Sequence, residues 1–201
     1  MTDLFQAHAQ DWDTRPIPAQ ISEGVSRAIL AAVPLSPALE VMDFGAGTGL
    51  ICERVAPAVR RVIAVDISSA MLARLTAKEQ LAGRVETRCQ DILTQPLEEQ
   101  VDLIVSAMAM HHVEDTAALW RAFYAHTRPG GRVALADLDA EDGSFHPPEA
   151  EGVFHAGFDR EALRAHIEAA GFTEVSFTTA CEVSKEERRY PIFLVTARRG
   201  G

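Results

Sequence analysis

The chain has 201 residues, 47% of them apolar, and a formal net charge of −10. This length can bury one good hydrophobic core and is too short for two ordinary domains, so we expect a single domain over residues 1–201. The acidic balance lacks the electrostatic footprint of a protein that binds nucleic acid or an anionic membrane without sequence preference. Small or locally cationic partners are therefore favoured.

The cysteines and the amino terminus bear on the compartment. Cys52, Cys89 and Cys181 lie far apart, are odd in number and form no C-x-x-C pair, which favours a reduced, cytoplasmic protein without a thiolate metal site. No apolar run reaches the roughly 18 residues that span a bilayer, and no basic stretch followed by an apolar core opens the chain. We expect a soluble, unprocessed protein that has no membrane partner.

The predicted elements fall into two parts. Residues 1–37 hold two amphipathic stretches, at about 3–12 and 18–32, whose helical spacing predicts an N-terminal helical lid. In residues 38–201 strands and helices alternate, which is typical of a parallel sheet covered on both faces. Strands are predicted at 39–44, 61–65, 85–89, 101–106, 132–138, 173–178 and 192–197, helices at 48–57, 68–81, 115–126 and 159–170, and a turn at 129–131. The expected fold is a doubly wound, Rossmann-like α/β core with about seven strands, the last one antiparallel.

The most informative segment, residues 41–50, reads VMDFGAGTGL. It predicts a buried strand that ends in a glycine turn and opens a helix. Glycines at alternate positions permit positive φ and leave no Cβ between the backbone and a ligand, as nucleotide-binding turns require. A second apolar strand ends in Asp66, about 20 residues beyond the first glycine, where a doubly wound fold places the acid that holds ribose hydroxyls. Asp66 is equally compatible with capping the following helix beside Ser68.

The spacing around the turn disfavours a dinucleotide. Leu50 stands where a dinucleotide fingerprint has its third glycine, and Asp43, two residues before Gly45, would repel a pyrophosphate. A ligand with a cationic sulfonium and an α-amino group tolerates or favours that carboxylate. Here the chain resembles the class I S-adenosylmethionine-dependent methyltransferases, whose first motif has the form Asp-x-Gly-x-Gly-x-Gly. The resemblance implies S-adenosylmethionine as cofactor and S-adenosylhomocysteine as product, with the methionine end held at Asp43, Gly45, Ala46 and Gly47.

The same resemblance implies cofactor contacts at the ends of the next strands. Asp66 would hold the ribose, Ile67 would pack on the adenine face, and Asp91 would accept from the adenine amino group. Asp91 by itself is also an ordinary turn residue. Further cofactor contacts are implied at Met71, Ile92, Ser106 and Met108.

A histidine-rich stretch follows the fourth strand. Residues 106–115 read SAMAMHHVED, similar to the Met-x-Leu-His-His-Val-x-Asp stretch of a small-molecule subgroup of these methyltransferases (UbiE-like, methyltransferase domains 11 and 25). The Asn/Asp-Pro-Pro-aromatic signature of enzymes that methylate base amines does not stand there, which again disfavours nucleic acid. The resemblance continues at 137–146, 154–159 and 190–194 and reaches residues 12–13, so it covers nearly the whole chain.

Histidines are the candidates for catalysis. Methyl transfer is an in-line displacement that requires alignment, exclusion of water and, for a protonated acceptor, a base, and a histidine with an ordinary pKa of about 6.5 accepts a proton at neutral pH. We expect His112 and His146 first, then His111 and His155, to act as base or to orient a small-molecule acceptor. One of His111 and His112 is as readily a buried structural histidine. Surface positions are expected for His8, His126 and His166.

Several alternatives stay open. These histidines match no compact zinc spacing, so no metal is expected, although imidazoles with Asp139 or Glu141 are suitable ligands. The acidic segment 137–151, too polar for the core, is either a flexible lid or a negative wall for an amine-bearing acceptor. Trp12 either covers the cofactor or only packs its own helix. The rival functions are an NAD(P)-dependent oxidoreductase and a non-catalytic S-adenosylmethionine-binding module, and the chain is expected to be a monomer or homodimer.

Overall fold

The computed structural model describes residue 3 and residues 5–201; Met1, Thr2 and Leu4 of the predicted lid lie outside the described residues. The described chain forms seven strands and five α-helices. The strands are β1 (Glu40–Phe44), β2 (Arg61–Asp66), β3 (Val85–Cys89), β4 (Val101–Ala107), β5 (Thr127–Leu138), β6 (Phe172–Lys185) and β7 (Arg188–Arg199). The helices are α1 (Pro16–Ala32), α2 (Cys52–Val55), α3 (Ser69–Thr76), α4 (Thr116–His126) and α5 (Arg160–Ala169).

The strands make one sheet in the order β3-β2-β1-β4-β5-β7-β6. Strands β1 to β5 pair in parallel, and β7 runs antiparallel to both of its neighbours. The predicted doubly wound, mixed sheet is confirmed. Because the chain proceeds outward in opposite directions from β1 and β4, these two strands form the switch point at which such folds bind ligands.

Hydrophobic packing covers both faces of the sheet. In β1, Val41 belongs to the apolar cluster that holds residues of α1, α2 and α3, whereas Met42 belongs to the cluster of α4 and α5. This alternation follows from the period of two along a strand. Within the described residues no helix combines the length and the apolar character needed to cross a membrane.

The N-terminal segment differs from the prediction. The expected first helix is replaced by two 3-10 turns, Gln6–His8 and Trp12–Thr14, and α1 begins at Pro16 rather than at residue 18. Proline is tolerated in a first helical turn because its missing amide has no helical partner there. Helix α1 packs on the sheet, with Val25 and Ile29 fully buried. Only the segment before α1 remains as a candidate lid.

Glycine geometry accounts for a second difference. The helix predicted at 48–57 is reduced to α2, followed by the 3-10 turn Ala56–Ala58. Gly47 and Gly49 have φ of 54° and 86°, and these values keep the start of the segment out of the α-helical region. The glycine turn therefore does not open directly into a helix.

Three further predictions had wrong boundaries. Residues 129–131 do not form a separate turn but lie inside β5, where the pairing with β4 shifts register. The last two strands extend into a long hairpin, β6 and β7, well beyond the predicted 173–178 and 192–197. The helix predicted at 68–81 ends at Thr76 and is followed by the 3-10 turn Glu79–Leu81.

Candidate active site

The glycine turn after β1 lies at the carboxyl edge of the sheet. Gly45, Gly47 and Gly49 have φ of 66°, 54° and 86°, in the left-handed region that residues with a Cβ rarely adopt. The amides of Gly45 and Ala46 both donate to the carbonyl of Val65 in β2, at 2.9 and 3.1 Å. The turn is thereby fixed to the neighbouring strand.

The three glycines serve different purposes. A Cβ on Gly45 would lie 2.3 Å from the Cβ of Ala109, and one on Gly49 would lie 2.8 Å from Leu75 Cγ, whereas a Cβ on Gly47 would meet nothing within 4 Å. Gly45 and Gly49 are required by packing inside the protein. The open space beside Gly47 is where a ligand can approach the backbone.

Asp66, at the end of β2, braces this turn. Its Oδ2 accepts from the Gly47 amide at 2.7 Å and its Oδ1 from the Ser68 amide at 2.8 Å. Burial raises the pKa of Asp66 against the opposing effect of these two donors. Ser68 itself caps α3 by accepting from the Met71 amide. The local role of Asp66 at the start of α3 is therefore present, together with a direct link to the glycine turn.

Asp43 lies beneath the turn and is 1% exposed. Its Oδ2 accepts from the Cys52 thiol at 3.1 Å, and its Oδ1 has no hydrogen-bond partner within the described part of the chain. Burial raises the pKa of Asp43 to about 7, although the Cys52 hydrogen bond opposes the shift. Near neutral pH this carboxyl is divided between its charged and neutral forms.

Residue 3 and residues 5–14, which we call the N-terminal strap, are fastened beside the turn. Asp3 accepts from the Ser68 hydroxyl at 2.8 Å, and Asp13 accepts from the Thr48 hydroxyl at 2.5 Å. The strap is therefore held both at Ser68, which caps α3, and at Thr48 in the glycine turn. Within it, Trp12 is half-buried, with the Arg15 guanidinium over its ring.

On the other side of the switch point, His111 and Asp137 form a buried pair. His111 Nδ1 lies 2.7 Å from Asp137 Oδ1, and the His111 amide donates to Asp137 Oδ2 at 3.1 Å. Burial opposes ionisation of Asp137, but the charge and hydrogen bond of His111 outweigh it and lower the pKa of the carboxyl. The Asp137 carboxylate can only accept a hydrogen bond, so His111 donates to it from Nδ1.

Sequence reasoning missed Asp137. It was grouped with the acidic segment 137–151, which was expected to be too polar for the core, yet it is fully buried near the end of β5. The signal that identifies it is its place at the end of the apolar run VALADL of a central strand. Polar residues at the carboxyl ends of such strands face the ligand crevice.

Two more imidazoles join His111. His146 Nε2 lies 3.1 Å from His111 Nε2, within hydrogen-bond distance. His112 donates from Nδ1 to the Gly152 carbonyl at 2.7 Å, and the edge of Phe5 from the strap packs on its ring. Burial, with repulsion from His111, lowers the pKa of both His112 and His146 to about 4. Both are neutral at physiological pH.

The backbone after β4 brings this histidine cluster (His111, His112 and His146) next to the glycine turn. Met108 adopts φ 57°, and its amide donates to the Ala136 carbonyl at 2.9 Å. A residue other than glycine in the left-handed region stores backbone strain, and such strained residues concentrate at functional sites. The bend sets Ala109 directly against Gly45. The turn and the histidine cluster are therefore neighbours at the carboxyl edge of the sheet.

The acidic loop, residues 139–151, is braced by cations from other elements. Asp139 accepts from Arg160 at 2.6 and 2.7 Å, and Asp142 pairs with Arg188 at 2.6 Å. Arginines therefore neutralise Asp139 and Asp142, while the choice between a flexible lid and a negative wall for residues 137–151 stays a prediction. Lys185 at the end of β6 also contacts this loop. Its ammonium donates to the carbonyl of Phe145, the residue before His146 of the histidine cluster.

Residues 42–135 match a family model described as Methyltransferase domain. A ubiquinone biosynthesis O-methyltransferase of Rhodopseudomonas palustris is 33% identical over 110 residues, 53% of this chain and 42% of that protein. A malonyl-acyl-carrier-protein O-methyltransferase of Marinomonas is 31% identical over 141 residues, 67% of this chain and 50% of that protein. The N-methyltransferase NodS of Bradyrhizobium japonicum, solved with S-adenosylhomocysteine, shares the fold with a TM-score of 0.74 and 17% identity over 100% of both chains.

Residues 42–135 carry a methyltransferase domain, and the chain is similar to class I S-adenosylmethionine-dependent methyltransferases. The matched residues include the glycine turn and two members of the histidine cluster, His111 and His112. These comparisons support a methyltransferase over the rival assignment to NAD(P)-dependent oxidoreductases. The chain spans about half the length of the curated relatives it matches, at 48%, 42% and 50% of the first three.

The structure brings together only part of the predicted cofactor set. Asp43, Gly45, Ala46, Gly47 and Asp66 form or support the glycine turn. Ile67, at the same edge, is 56% exposed, an unusual state for an isoleucine and one that suits an adenine face. Met108 lines the boundary between the turn and the histidines.

Other predicted residues are committed elsewhere. Met71, Ile92 and Ser106 are buried, and the Ser106 hydroxyl donates to the Phe44 carbonyl. Asp91 accepts from the Leu93 amide at 2.9 Å, in the local turn that was its alternative. The structure thus engages these four residues in core packing or in local hydrogen bonds.

The remaining histidines are also settled by their partners. His155 does not join the histidine cluster: its Nε2 donates to the Val113 carbonyl at 2.9 Å. His126, predicted at the surface, is buried. Both ring nitrogens have partners there, since Nδ1 donates to the Ala122 carbonyl and Nε2 accepts from the Leu97 amide. His8 and His166 are exposed as predicted.

Within residues 3 and 5–201, no group of three or more His, Cys, Asp or Glu side chains has an arrangement that could hold a metal ion. The residues do fit the methyl donor, since the space beside Gly47 is open, Ile67 presents an apolar face, and Asp43 keeps one buried oxygen unpaired.

Proposed function

We propose that this chain transfers a methyl group from S-adenosylmethionine to a small-molecule acceptor that enters beside the histidine cluster, and releases S-adenosylhomocysteine. The observation that carries the proposal is the contact between Ala109 and Gly45, because Ala109 lies two residues before His111 of the buried His111–Asp137 pair. The similarity to methyltransferases supports the donor, and the imidazoles are proposed as the base for the acceptor.

The donor side is assigned to the turn and its neighbours. When bound, S-adenosylmethionine supplies an electrophilic methyl group on a sulfonium. Gly45, Ala46 and Gly47 give the backbone that the cofactor can approach, and Ile67 packs on its adenine. Asp66 holds the turn in shape and is the acid nearest to the ribose position expected in this fold. Asp91 is proposed to accept from the adenine amino group.

The acceptor side is assigned to a proton relay. In this proposal the proton between the two rings lies on His146 Nε2 and His111 begins neutral. His146 is half-exposed, so it takes the acceptor's proton on Nδ1 while its Nε2 proton moves to His111 Nε2. Asp137 then stabilises the imidazolium through the 2.7 Å bond to Nδ1. His112 and Phe5 line the same wall and exclude water. The acceptor that fits is a neutral, protonated nucleophile such as a hydroxyl group.

Turnover with a panel of acceptors tests this proposal. The purified protein is mixed with S-adenosylmethionine and with phenols, alcohols, carboxylates, thiols or amines, and released S-adenosylhomocysteine is measured. We expect release with at least one hydroxyl acceptor, and at least tenfold weaker cofactor binding by Asp66→Ala in calorimetry. Cofactor binding without turnover would support a non-catalytic module, and no binding by the folded wild type would overturn the assignment.

Compartment and assembly complete the proposal. We place the protein in the cytoplasm as a monomer or homodimer, without a nucleic-acid or membrane partner. The three cysteines are all free thiols, which supports a reducing compartment, and the net charge of −10 disfavours polyanionic partners.

A further inference from the structure

The proposed reaction makes no direct use of Asp43, although its carboxyl lies directly under the glycine turn. One carboxyl oxygen accepts from the Cys52 thiol, and the other has no partner among the described residues. A thiol is a weak donor, and a buried polar atom without a hydrogen bond costs free energy. Such an atom calls for an explanation in function.

Asp43 lacks a cation of its own. The strand register sets Ala64 and Val105 on either side of it, so neither neighbouring strand supplies a charge at that level. In the described part of the chain, the titratable groups that act on it are the Cys52 thiol and the Asp66 carboxyl, and Asp66 repels it. Any cation that stabilises the carboxylate must come with a ligand.

Lys78 is the cation that acts on the neighbouring Cys52 thiol. Its ammonium pairs with Asp13 of the strap at 2.7 Å and with Glu53 at 2.5 Å. Two carboxylates therefore neutralise this ammonium. Among the described residues, no cation is one of the groups that act on the Asp43 carboxyl.

We propose that Asp43 senses the charge of the cofactor: it gives up its proton when a sulfonium occupies the crevice and takes one back when the neutral thioether product replaces it. This rests on the proposed function. The proton that leaves Asp43 for solvent when the donor binds returns after methyl transfer, so the cycle balances. Because the charged form of Asp43 favours a cation, the site binds donor more tightly than product as the pH rises.

The donor and the product provide a matched pair of ligands. They differ at the sulfur and share the amino, carboxyl and nucleoside groups, so proton changes at the shared groups cancel in the comparison. Asp43 has a pKa of about 7 in the free protein, and lowering it by one unit on binding releases about 0.4 proton at pH 7.

The experiment is titration calorimetry at pH 7 in buffers of different ionisation enthalpy, with wild type and Asp43→Asn. For wild type we expect the donor to release about 0.4 proton more than the product, and donor affinity to rise up to about tenfold from pH 5.5 to 8 while product affinity does not follow. In Asp43→Asn both differences should vanish. Equal proton release for the two ligands in wild type, or a difference that persists in Asp43→Asn, would overturn the proposal.

Two further variants keep the outcome decisive. Cys52→Ala removes the donor that lowers the pKa of Asp43, so the pH window of the affinity change should move upward; an unmoved window contradicts the inference. Asp66→Asn tests the neighbouring carboxyl, and a difference abolished there but retained in Asp43→Asn would assign the proton to Asp66. If Asp43→Asn does not fold, the wild-type comparison decides alone. Failure of both ligands to bind would instead count against the proposed function.

Discussion

Asp137 fixes the proton of His111 on Nδ1, and this makes the carboxylate the most informative single replacement in the histidine cluster. Asp137→Asn keeps the shape but offers an amide, which allows the opposite imidazole tautomer and cannot stabilise an imidazolium. We expect kcat to fall by about 10²-fold or more, while the cofactor dissociation constant stays within about twofold. Steady-state kinetics at several pH values and calorimetry measure the two effects.

His155 is the matched control for that prediction. It lies in the same region of the chain but bonds to the Val113 carbonyl outside the histidine cluster, so His155→Gln should change kcat by less than about threefold. Equal losses in Asp137→Asn and His155→Gln would show that the region acts only through stability. A lost cofactor affinity in Asp137→Asn would remove the assignment of this residue to the acceptor side.

At the scale of elements, the glycine turn offers a clean separation of binding from folding. A Cβ on Gly47 meets nothing within 4 Å but enters the space assigned to the cofactor. Gly47→Ala should weaken cofactor binding by at least tenfold, and its left-handed φ should cost about 1–2 kcal/mol of stability. Gly83→Ala is the control, because Gly83 has φ 74° and equally open surroundings in a turn before β3. Calorimetry and denaturant titration should show matching stability losses, and cofactor affinity reduced only in Gly47→Ala.

How far the sequence predicts these elements depends on where the decisive contacts lie. Strand ends, the glycine turn and Asp66 were predictable because their geometry is set locally and by the parallel sheet. The His111–Asp137 pair joins different strand ends, and no local pattern reports which neighbouring acid is buried. Likewise, the extended β6 and β7 hairpin brings Lys185 and Arg188 to the acidic loop, and these contacts join residues 40 and 46 positions apart. The prediction starts helix α1 two residues too late, at residue 18, because it takes Pro16 as part of a break, whereas proline is also suited to a first helical turn.

At the scale of the whole molecule, an ion-pair network closes the edge of the sheet opposite the site. Glu40 of β1 is nearly buried and pairs with Arg61 at 3.1 Å and Arg128 at 2.5 Å. The hydrogen bond from Arg128, with help from Arg61 and against burial, lowers the pKa of Glu40. The resulting stability is present above the ordinary pKa of the unfolded chain, 4.5, and is lost as the pH falls through the lower folded value.

Glu40→Gln should therefore destabilise the protein by about 1–3 kcal/mol at pH 7, because two arginines lose their buried partner. The difference from wild type should shrink as the pH falls below 4. Glu86→Gln is the control, since Glu86 also pairs with Arg61 but its side chain is 47% exposed, and it should cost less than about 1 kcal/mol. Urea unfolding followed by circular dichroism gives both values. Equal effects of the two changes would contradict a special role for the buried partner.

Ionisation of Asp43 lowers the free energy of unfolding, whereas ionisation of Glu40 raises it. The two ends of β1 therefore respond oppositely to pH. Its pKa is raised from 3.8 to about 7, hence its contribution is fully present below pH 3.8 and is lost as the pH rises through 7. Asp43→Asn removes the buried charge at the cost of one amide donor that needs a partner. The free energy of unfolding should rise by about 2 kcal/mol at pH 8 and change little near pH 5. Denaturant titrations of the ligand-free protein at both pH values check this, and a variant less stable than wild type at pH 8 would mean that the carboxylate is already neutralised inside the fold, in which case no ligand charge is needed to hold it there.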